Sequence, residues 1–377
     1  MKNLTIISVF GFLSFLTHSY TQNVFIYPTE YTKIEGPEKT EKPFGVVYKS
    51  KDMRKFRYQV IAGPISNNSL TIRRLGIRRD GTITYDWQWY TLELEIAFST
   101  SPKTPATASA TFSQNIGKDT TIMLPRTTIY FPTSYTTRSL PEPFEYIFPF
   151  GWGKKFLLAG GKSLCIDFKV YDNDKLTHSP YPVYFDVASP KMVAPRVPFG
   201  NGCFAPRQTL SFHGDINLTW SSSNPKGFKV HGWCKSGPMG GSFVFLAISL
   251  GRLKKPFQIG ANGCNLFLDP KDIFIFGPKN LDYVGNFTWS AANPACFIPF
   301  SPNISGTYLY GQWIGVENVW WNPPVYLSNA VKIQLPYFWS NGNGPNITTV
   351  YAQGTNAHKT LTGTLLKNYG FVLFLST

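Results

Sequence analysis

The feature that most constrains the fold is a set of three short apolar runs between residues 241 and 277. They cover residues 243–250, 264–268 and 272–276, and glycine, proline or aspartate closes each one. Runs of this length that are rich in aromatic and β-branched residues are typical of strands, and they are far too short to cross a membrane. They predict successive buried strands, with the flanking segments covering the sheet.

The composition extends this prediction to the whole chain. The sequence holds 31 Phe and 20 Tyr, with 32 Gly and 29 Pro to punctuate strands, and only 15% of its residues are charged. Residues 92–98 alternate apolar and polar side chains, which places Glu93 and Glu95 on one solvent-facing side of a strand. We predict an all-β protein: two β-sandwich (jelly-roll-like) domains with a C-terminal β-hairpin extension.

Proline spacing gives the domain boundaries. Pro190, Pro195 and Pro198 punctuate residues 189–202, which we interpret as a Pro-rich linker between a domain at 22–188 and a domain at 203–336. Residues 337–377 are too few for a core of their own, so we predict a strand extension packed on one sandwich.

The N-terminus has the pattern of a secretory signal peptide over residues 1–21. Lys2 is its only charge, an apolar stretch follows to Leu16, and small residues lie at Ser19 and Thr21. A short buried strand is the alternative. The pattern predicts a secreted protein, extracellular or at the cell surface, with no membrane span.

Secretion makes disulfides the preferred interpretation of the five cysteines. We predict the pairs Cys203–Cys264 and Cys234–Cys296, the first because both of its cysteines follow Asn-Gly turns. The four cysteines allow three connectivities. Cys165 stands alone in the first half of the chain and is the thiol left over.

Several short segments carry a family resemblance. The residues are 57–59, 75–81, 110–117 and 160–164 in the first half, and 200–203, 261–266 and 327–331 in the second. They resemble a family of uncharacterised secreted proteins of planctomycete-type bacteria, over most of residues 50–335. The resemblance implies secretion and β-sandwich character, and it brings no established activity.

Searches for standard active sites return weak candidates. The chain has no GxSxG, HExxH, P-loop or GxGxxG motif. His213 and Asp215 would share one strand face, Glu93 and Glu95 lie one pleat apart, and residues 172–174 (Asp-Asn-Asp) could hold Ca²⁺. Turns and solvated strand faces are the preferred interpretation of all three patterns. We predict no catalytic residue, no cofactor and no metal, with Ca²⁺ at residues 172–174 as the alternative.

Aromatic residues form two candidate ligand-binding clusters. Tyr85, Trp87 and Trp89 alternate along one face of a predicted strand, and three tryptophans precede the loop-like residues 322–324: Trp313, Trp320 and Trp321. Exposed coplanar rings can stack on sugars, whereas core packing is the interpretation that we favour for each cluster.

The charge indicates an anionic partner. The formal net charge is +15, or +14 without Lys2, and it is distributed over the chain, including Arg73, Arg74, Arg78, Arg79 and the Lys254–Lys255 connector. We predict attraction to an anionic polysaccharide or cell-surface polymer with little chemical selectivity, weakened by salt. A nucleic acid is not expected as a specific target.

Together these observations favour a secreted, non-catalytic β-sandwich protein that attaches to a surface, matrix or acidic polysaccharide. The alternatives are an extracellular carbohydrate-active enzyme and a purely structural envelope component. The fold discriminates among them: carboxylates that converge in a groove favour the enzyme, a flat strip of exposed aromatic rings favours binding, and neither feature favours the structural role.

Overall fold

The computed structural model describes residues 24–137, 140–178, 180–190, 194–205, 208–222, 226–238, 241–259, 264–299, 301, 304, 306–317, 324–336 and 344–377. The predicted signal peptide, Trp320 and Trp321 lie outside these residues.

The protein is all-β, as the sequence predicts. The strands are β1 (Val24–Tyr27), β2 (Glu38–Thr40), β3 (Phe56–Ala62), β4 (Leu70–Ile72), β5 (Arg74–Ile77), β6 (Tyr90–Ser101), β7 (Thr121–Phe131), β8 (Tyr146–Ile147), β9 (Phe156–Leu158), β10 (Ser163–Asn173), β11 (Phe185–Ala188), β12 (Arg196–Phe199), β13 (His213–Ser221), β14 (Gly227–Lys235), β15 (Phe243–Ser249), β16 (Arg252–Ile259), β17 (Cys264–Leu268), β18 (Phe274–Asn280), β19 (Phe287–Trp289), β20 (Cys296–Pro299), β21 (Tyr308–Val316), β22 (Val325–Gln334), β23 (Ile347–Gln353), β24 (Thr364–Lys367), β25 (Gly370–Phe371) and β26 (Leu373–Ser376).

Helices in the described residues are short. One α-helix, α1, covers Lys175–His178, and single 3₁₀ turns cover Thr29–Thr32, Asp52–Arg54, Pro105–Thr107, Phe112–Asn115, Pro270–Asp272 and Ala357–Lys359. No helix in this part of the chain is long and apolar enough to cross a membrane.

One group of antiparallel sheets surrounds the first core. Its largest sheet has the order β24-β23-β3-β10-β6-β7, beside the sheets β1-β26-β5-β8, β2-β11-β25 and β4-β9. The alternation predicted for residues 92–98 is present in β6, where apolar side chains are buried and Glu93 and Glu95 are half-buried on the other face. Phe44 lies at the centre of an aromatic cluster whose ring centroids are 5.2–6.0 Å from its own: Phe131, Phe148, Phe168, Phe185 and Phe371.

A second group surrounds the second core, formed by residues 194–335. Its sheets are β12-β22-β21-β15-β18, β13-β14-β19 with β20 on β14, and β16-β17. The three apolar runs of the sequence are β15, β17 and β18. The third differs from the prediction: β18 is an edge strand, and Phe274 and Ile275 on it are exposed. Pro278 fits this position because an edge strand can lack one ladder donor.

Two predicted boundaries differ in detail from the structure. Residues 196–199, predicted as linker, form edge strand β12 and pair with β22. The C-terminal segment, predicted to pack on a sandwich, supplies strands to the first group: β23 lies between β24 and β3, and β26 lies between β1 and β5. The buried apolar run at 371–375 explains this, because such a strand needs partners on both sides. The division into two sandwich domains stays a prediction.

Candidate functional site

The first aromatic cluster does not form the exposed strip that the alternation suggested. Residues 85–89 are not a regular strand, and only Trp87 makes an isolated bridge, to Ser134. Trp87 is buried against the ring of Tyr146, whereas Trp89 is 39% exposed and stacks on Tyr130. Tyr85 is half-buried and donates a hydrogen bond to the carbonyl of Pro182. Core packing therefore explains Trp87, which is closed to a ligand.

Trp313 of the second cluster also belongs to the core. Its side chain is fully buried, and its ring stacks on Trp289 at 5.3 Å. The expectation of a sugar-stacking surface at Trp313 is wrong, because β21 presents this residue to the interior.

One of the two predicted disulfides is confirmed. Cys203 and Cys264 are bonded, with their Cα atoms 4.9 Å apart. The pair Cys234–Cys296 is wrong: both thiols are free, since Cys296 lies opposite Val230, four residues from Cys234 along β14. Four strand residues span about 13 Å, beyond the reach of a disulfide. Cys165 is free as well, and burial raises the pKa of its thiol.

The weaker sequence candidates have structural partners. Arg126 pairs with Glu93 and Lys169 with Glu95, at 2.8 and 2.7 Å. Asp172 and Asn173 are the last residues of β10, and Asp174 accepts hydrogen bonds from the amide and hydroxyl of Thr91, 83 residues away in the sequence. The turn predicted for this triplet is therefore wrong for Asp172 and Asn173, and Ca²⁺ at this position stays a prediction.

The basic residues divide into two kinds. Arg78 and Arg79 are 1% and 0% exposed, so the expectation that they contribute to a cationic surface is wrong. Arg79 lies over the ring of Trp87 at 4.3 Å and donates to backbone carbonyls. Arg73 and Arg74, which precede them by five residues, are exposed.

The exposed arginines line a cleft that the sequence reasoning missed. This cleft, which we call the Trp152 cleft, has a volume of about 910 Å³, and its walls include Arg73, Arg74, Phe148, Phe150, Trp152 and Lys154. Trp152 is wholly exposed, on a turn in which Lys154 N–H donates to the carbonyl of Gly151. Gly153 has φ +76°, a conformation that favours glycine. The lining residues include no Asp or Glu, and Thr377, the last residue of the sequence, is also among them. The signal was in the sequence, as a glycine-flanked tryptophan followed by two lysines.

Buried carboxylates gather at a second location. Oxygens of Glu35, Asp80 and Asp186 all lie within 4.8 Å of one another, and all three residues are buried. Arg78 donates to Asp186 Oδ2 from Nε at 2.6 Å, and also to the carbonyls of Tyr31 and Ile34. The guanidinium thus occupies the place beside Asp186 that a cation would need. This arrangement favours an ion-paired, partly protonated cluster over a metal centre.

The acidic cluster has strongly shifted ionisation. Burial raises the pKa of Asp80 to about 7, and the neighbouring Asp186 carboxylate adds to this, opposed by hydrogen bonds from Thr82. Burial raises the pKa of Glu35 well above its usual range, with Asp186 again adding to the effect. A perturbed carboxyl group that reaches a cleft is a frequent mark of a functional site.

Asp80 also lines a second cleft, between the two groups of sheets. This cleft, which we call the Asp80–Asp215 cleft, has a volume of about 550 Å³. Glu38, Asp80 and Asp215 all line it, which is a feature that the enzyme alternative needs, whereas the aromatic strip expected for a binding protein is absent from residues 85–89. Its other polar walls include Lys39, Arg196 and His213.

No protein-family model matches the chain, and no curated protein matches it. The resemblance to secreted proteins of planctomycete-type bacteria stays a prediction, and the function has to be argued from the two clefts.

Proposed function

We propose that the protein is a secreted, non-catalytic binding protein that attaches to an acidic polysaccharide through the Trp152 cleft. One observation carries this proposal: a wholly exposed tryptophan lies in a cleft with three cationic side chains and no acidic one, namely Arg73, Arg74 and Lys154. Uronic acid or sulfated sugar units combine a ring that can stack on an indole with the anionic groups that arginine binds in a bidentate manner.

Stacking and charge interactions both favour an acidic sugar as the ligand of this cleft. An exposed indole gains area burial and stacking when a sugar ring covers it, and fixed cations nearby add charge-assisted hydrogen bonds. The excess positive charge of the chain attracts a polyanion at long range, and salt screens this attraction over about 8 Å at physiological ionic strength. We therefore expect two contributions to binding: a non-selective electrostatic attraction that salt weakens, and a specific stacking contact at Trp152.

The extracellular location belongs to the same proposal. The predicted signal peptide and the Cys203–Cys264 disulfide support it, because disulfides persist mainly in oxidising compartments.

A charge-matched comparison tests the site. We expect the double variant Arg73→Gln/Arg74→Gln to bind oligogalacturonate about tenfold more weakly than the wild type, because it removes two ligand contacts. The control Lys254→Gln/Lys255→Gln removes the same charge from exposed residues of β16 and should change the affinity little. Isothermal titration at several salt concentrations measures both. Equal losses in the two variants would mean that distributed charge, and not the cleft, binds the polymer.

The stacking contribution has its own control. We expect Trp152→Ala to weaken the oligogalacturonate binding that remains at high salt. The control Tyr135→Ala removes an exposed ring outside the cleft and should leave that binding unchanged.

A second candidate function is favoured by the presence of Asp80 and Asp215 in the walls of one cleft. A protonated carboxyl can donate to the leaving oxygen of a glycosidic bond while a second carboxylate acts on the opposite face of the sugar. If this candidate is correct, incubation with neutral oligosaccharides releases new reducing ends, and Asp80→Asn abolishes the release. Wild-type protein that releases none would eliminate it.

A further inference from the structure

The floor of the Asp80–Asp215 cleft is one face of the β13–β14 hairpin. A Cβ atom at Gly214 would lie 2.5 Å from the ring of Trp313, so this position faces the second core. Because side chains alternate along a strand, His213 and Asp215 on either side of it face the cleft. Trp233 lies directly opposite Asp215 in the ladder and shares that face.

The Trp233 ring is held in place by its neighbours. The ring of His213 packs edge-on against it, with centroids 5.6 Å apart and planes at 87°. The ammonium of Lys235 lies 5.3 Å from its centroid. Trp233 is half-buried, so it combines a fixed orientation with a surface open to the cleft. This is the arrangement of a stacking platform.

Hydrogen-bonding groups surround that ring. Asp215 accepts from Arg196 at 2.9–3.0 Å, and its Oδ1 also accepts from the amide of Ile216, so the pair offers mainly guanidinium N–H groups to sugar hydroxyls. On the opposite wall, Asp80 Oδ1 accepts from both the amide and the hydroxyl of Thr82. No hydrogen bond within the described residues uses Asp80 Oδ2.

The charges of this cleft nearly cancel, unlike those of the Trp152 cleft. Lys39 and Arg196 supply two positive charges to its walls, and Lys235 beside the Trp233 ring adds a third, whereas Glu38 and Asp215 supply two negative ones. Asp80, with a pKa raised to about 7 by burial, adds part of a negative charge near neutral pH. Such a cleft attracts a polyanion only weakly, and it offers both donors and acceptors to an uncharged ligand.

We propose that the Asp80–Asp215 cleft is a second ligand site, which binds an uncharged saccharide by stacking a sugar ring on Trp233 and bonding its hydroxyls to the Asp215–Arg196 pair and Asp80. Its volume lies within the usual range for small-ligand sites, about 300–1,000 Å³. The inference goes beyond the polyanion site, and it names the substrate class for the second candidate function without requiring hydrolysis.

Direct titration tests the proposal. The full chain is titrated calorimetrically with cellopentaose, xylopentaose, mannopentaose, laminaripentaose and chitopentaose, each to about 1 mM, where the binding free energy is still measurable. We expect at least one to bind, Trp233→Ala to bind it about tenfold more weakly, and the shape-preserving Asp215→Asn to weaken it as well. Tyr135→Ala, which removes an exposed ring outside both clefts, should bind it like the wild type. Circular dichroism and retention of the Cys203–Cys264 bond verify folding of each variant.

Three outcomes would overturn the inference. The first is that none of the five oligosaccharides binds. The second is that folded Trp233→Ala and Asp215→Asn both bind with wild-type affinity. The third is that oligogalacturonate competes with the neutral sugar for the same site. The titration measures the heat of binding and does not require bond cleavage, so it detects a site that binds a saccharide without hydrolysing it. A negative result would leave the proposal for the Trp152 cleft unaffected.

Discussion

Replacing Arg78 with methionine should lower the free energy of unfolding by about 3–5 kcal/mol, the usual cost of removing one partner from a buried ion pair. The Arg78 side chain is 1% exposed and pairs with Asp186, whose side chain is fully buried. Without the guanidinium, Asp186 would remain beside Glu35 and Asp80 with no cation in contact, and the carbonyls of Tyr31 and Ile34 would each lose a donor.

Chemical denaturation measures this effect against two comparison variants. Arg74→Met removes an exposed arginine from β5, the strand that ends just before Arg78, and should change stability by less than about 0.5 kcal/mol. Arg78→Lys keeps the charge but loses the planar fork, so we expect an intermediate loss. Unchanged stability in Arg78→Met would show that the acidic cluster does not depend on this ion pair.

The stability of the wild type should fall as pH rises from about 4 to about 7. Asp80 has a folded-state pKa of about 7 against an ordinary value of 3.8, so in this window the folded protein holds a proton that the unfolded chain has released. Folding is then progressively disfavoured, by about 1.4 kcal/mol for each pH unit between the two values. Above pH 7 this contribution is constant. Glu35 acts in the same direction because burial also raises its pKa.

Asp80→Asn isolates this contribution, because asparagine does not ionise and its carbonyl can still accept from Thr82. Relative to the wild type, the variant should gain a few kcal/mol of stability between pH 4 and pH 8. Asp52→Asn, which alters an exposed carboxylate paired with Lys55, should follow the wild-type curve closely. Parallel curves for wild type and Asp80→Asn would mean that Asp80 is ionised throughout.

Local patterns predicted the class of fold well. Alternation located β6, and the Asn-Gly pairs before Cys203 and Cys264 in the sequence pointed to the disulfide that forms. Turn and strand signals act over a few residues, so one sequence carries them directly.

Burial of individual side chains was harder to predict. Trp87 and Trp89 have the same local spacing, yet only the first is in the core, because residues 85–89 do not form a regular strand. Arg78 looked like a surface cation since its partner, Asp186, lies 108 residues away. The Asp80–Asp215 cleft is equally non-local. The Trp152 turn, by contrast, was visible as Gly-Trp-Gly-Lys-Lys and was overlooked in favour of denser aromatic clusters.

The most direct test of polymer binding at the Trp152 cleft is to observe which tryptophan contacts the acidic polymer. The chain has 10 tryptophans, whose indole N–H signals can be resolved by NMR and assigned by single Trp→Phe substitutions. On titration with oligogalacturonate at physiological salt, we expect the Trp152 signal to shift in a saturable way, while the signals of buried Trp87 and Trp313 stay unchanged. If the polymer binds and the Trp152 signal does not shift, the Trp152 cleft is not the binding site.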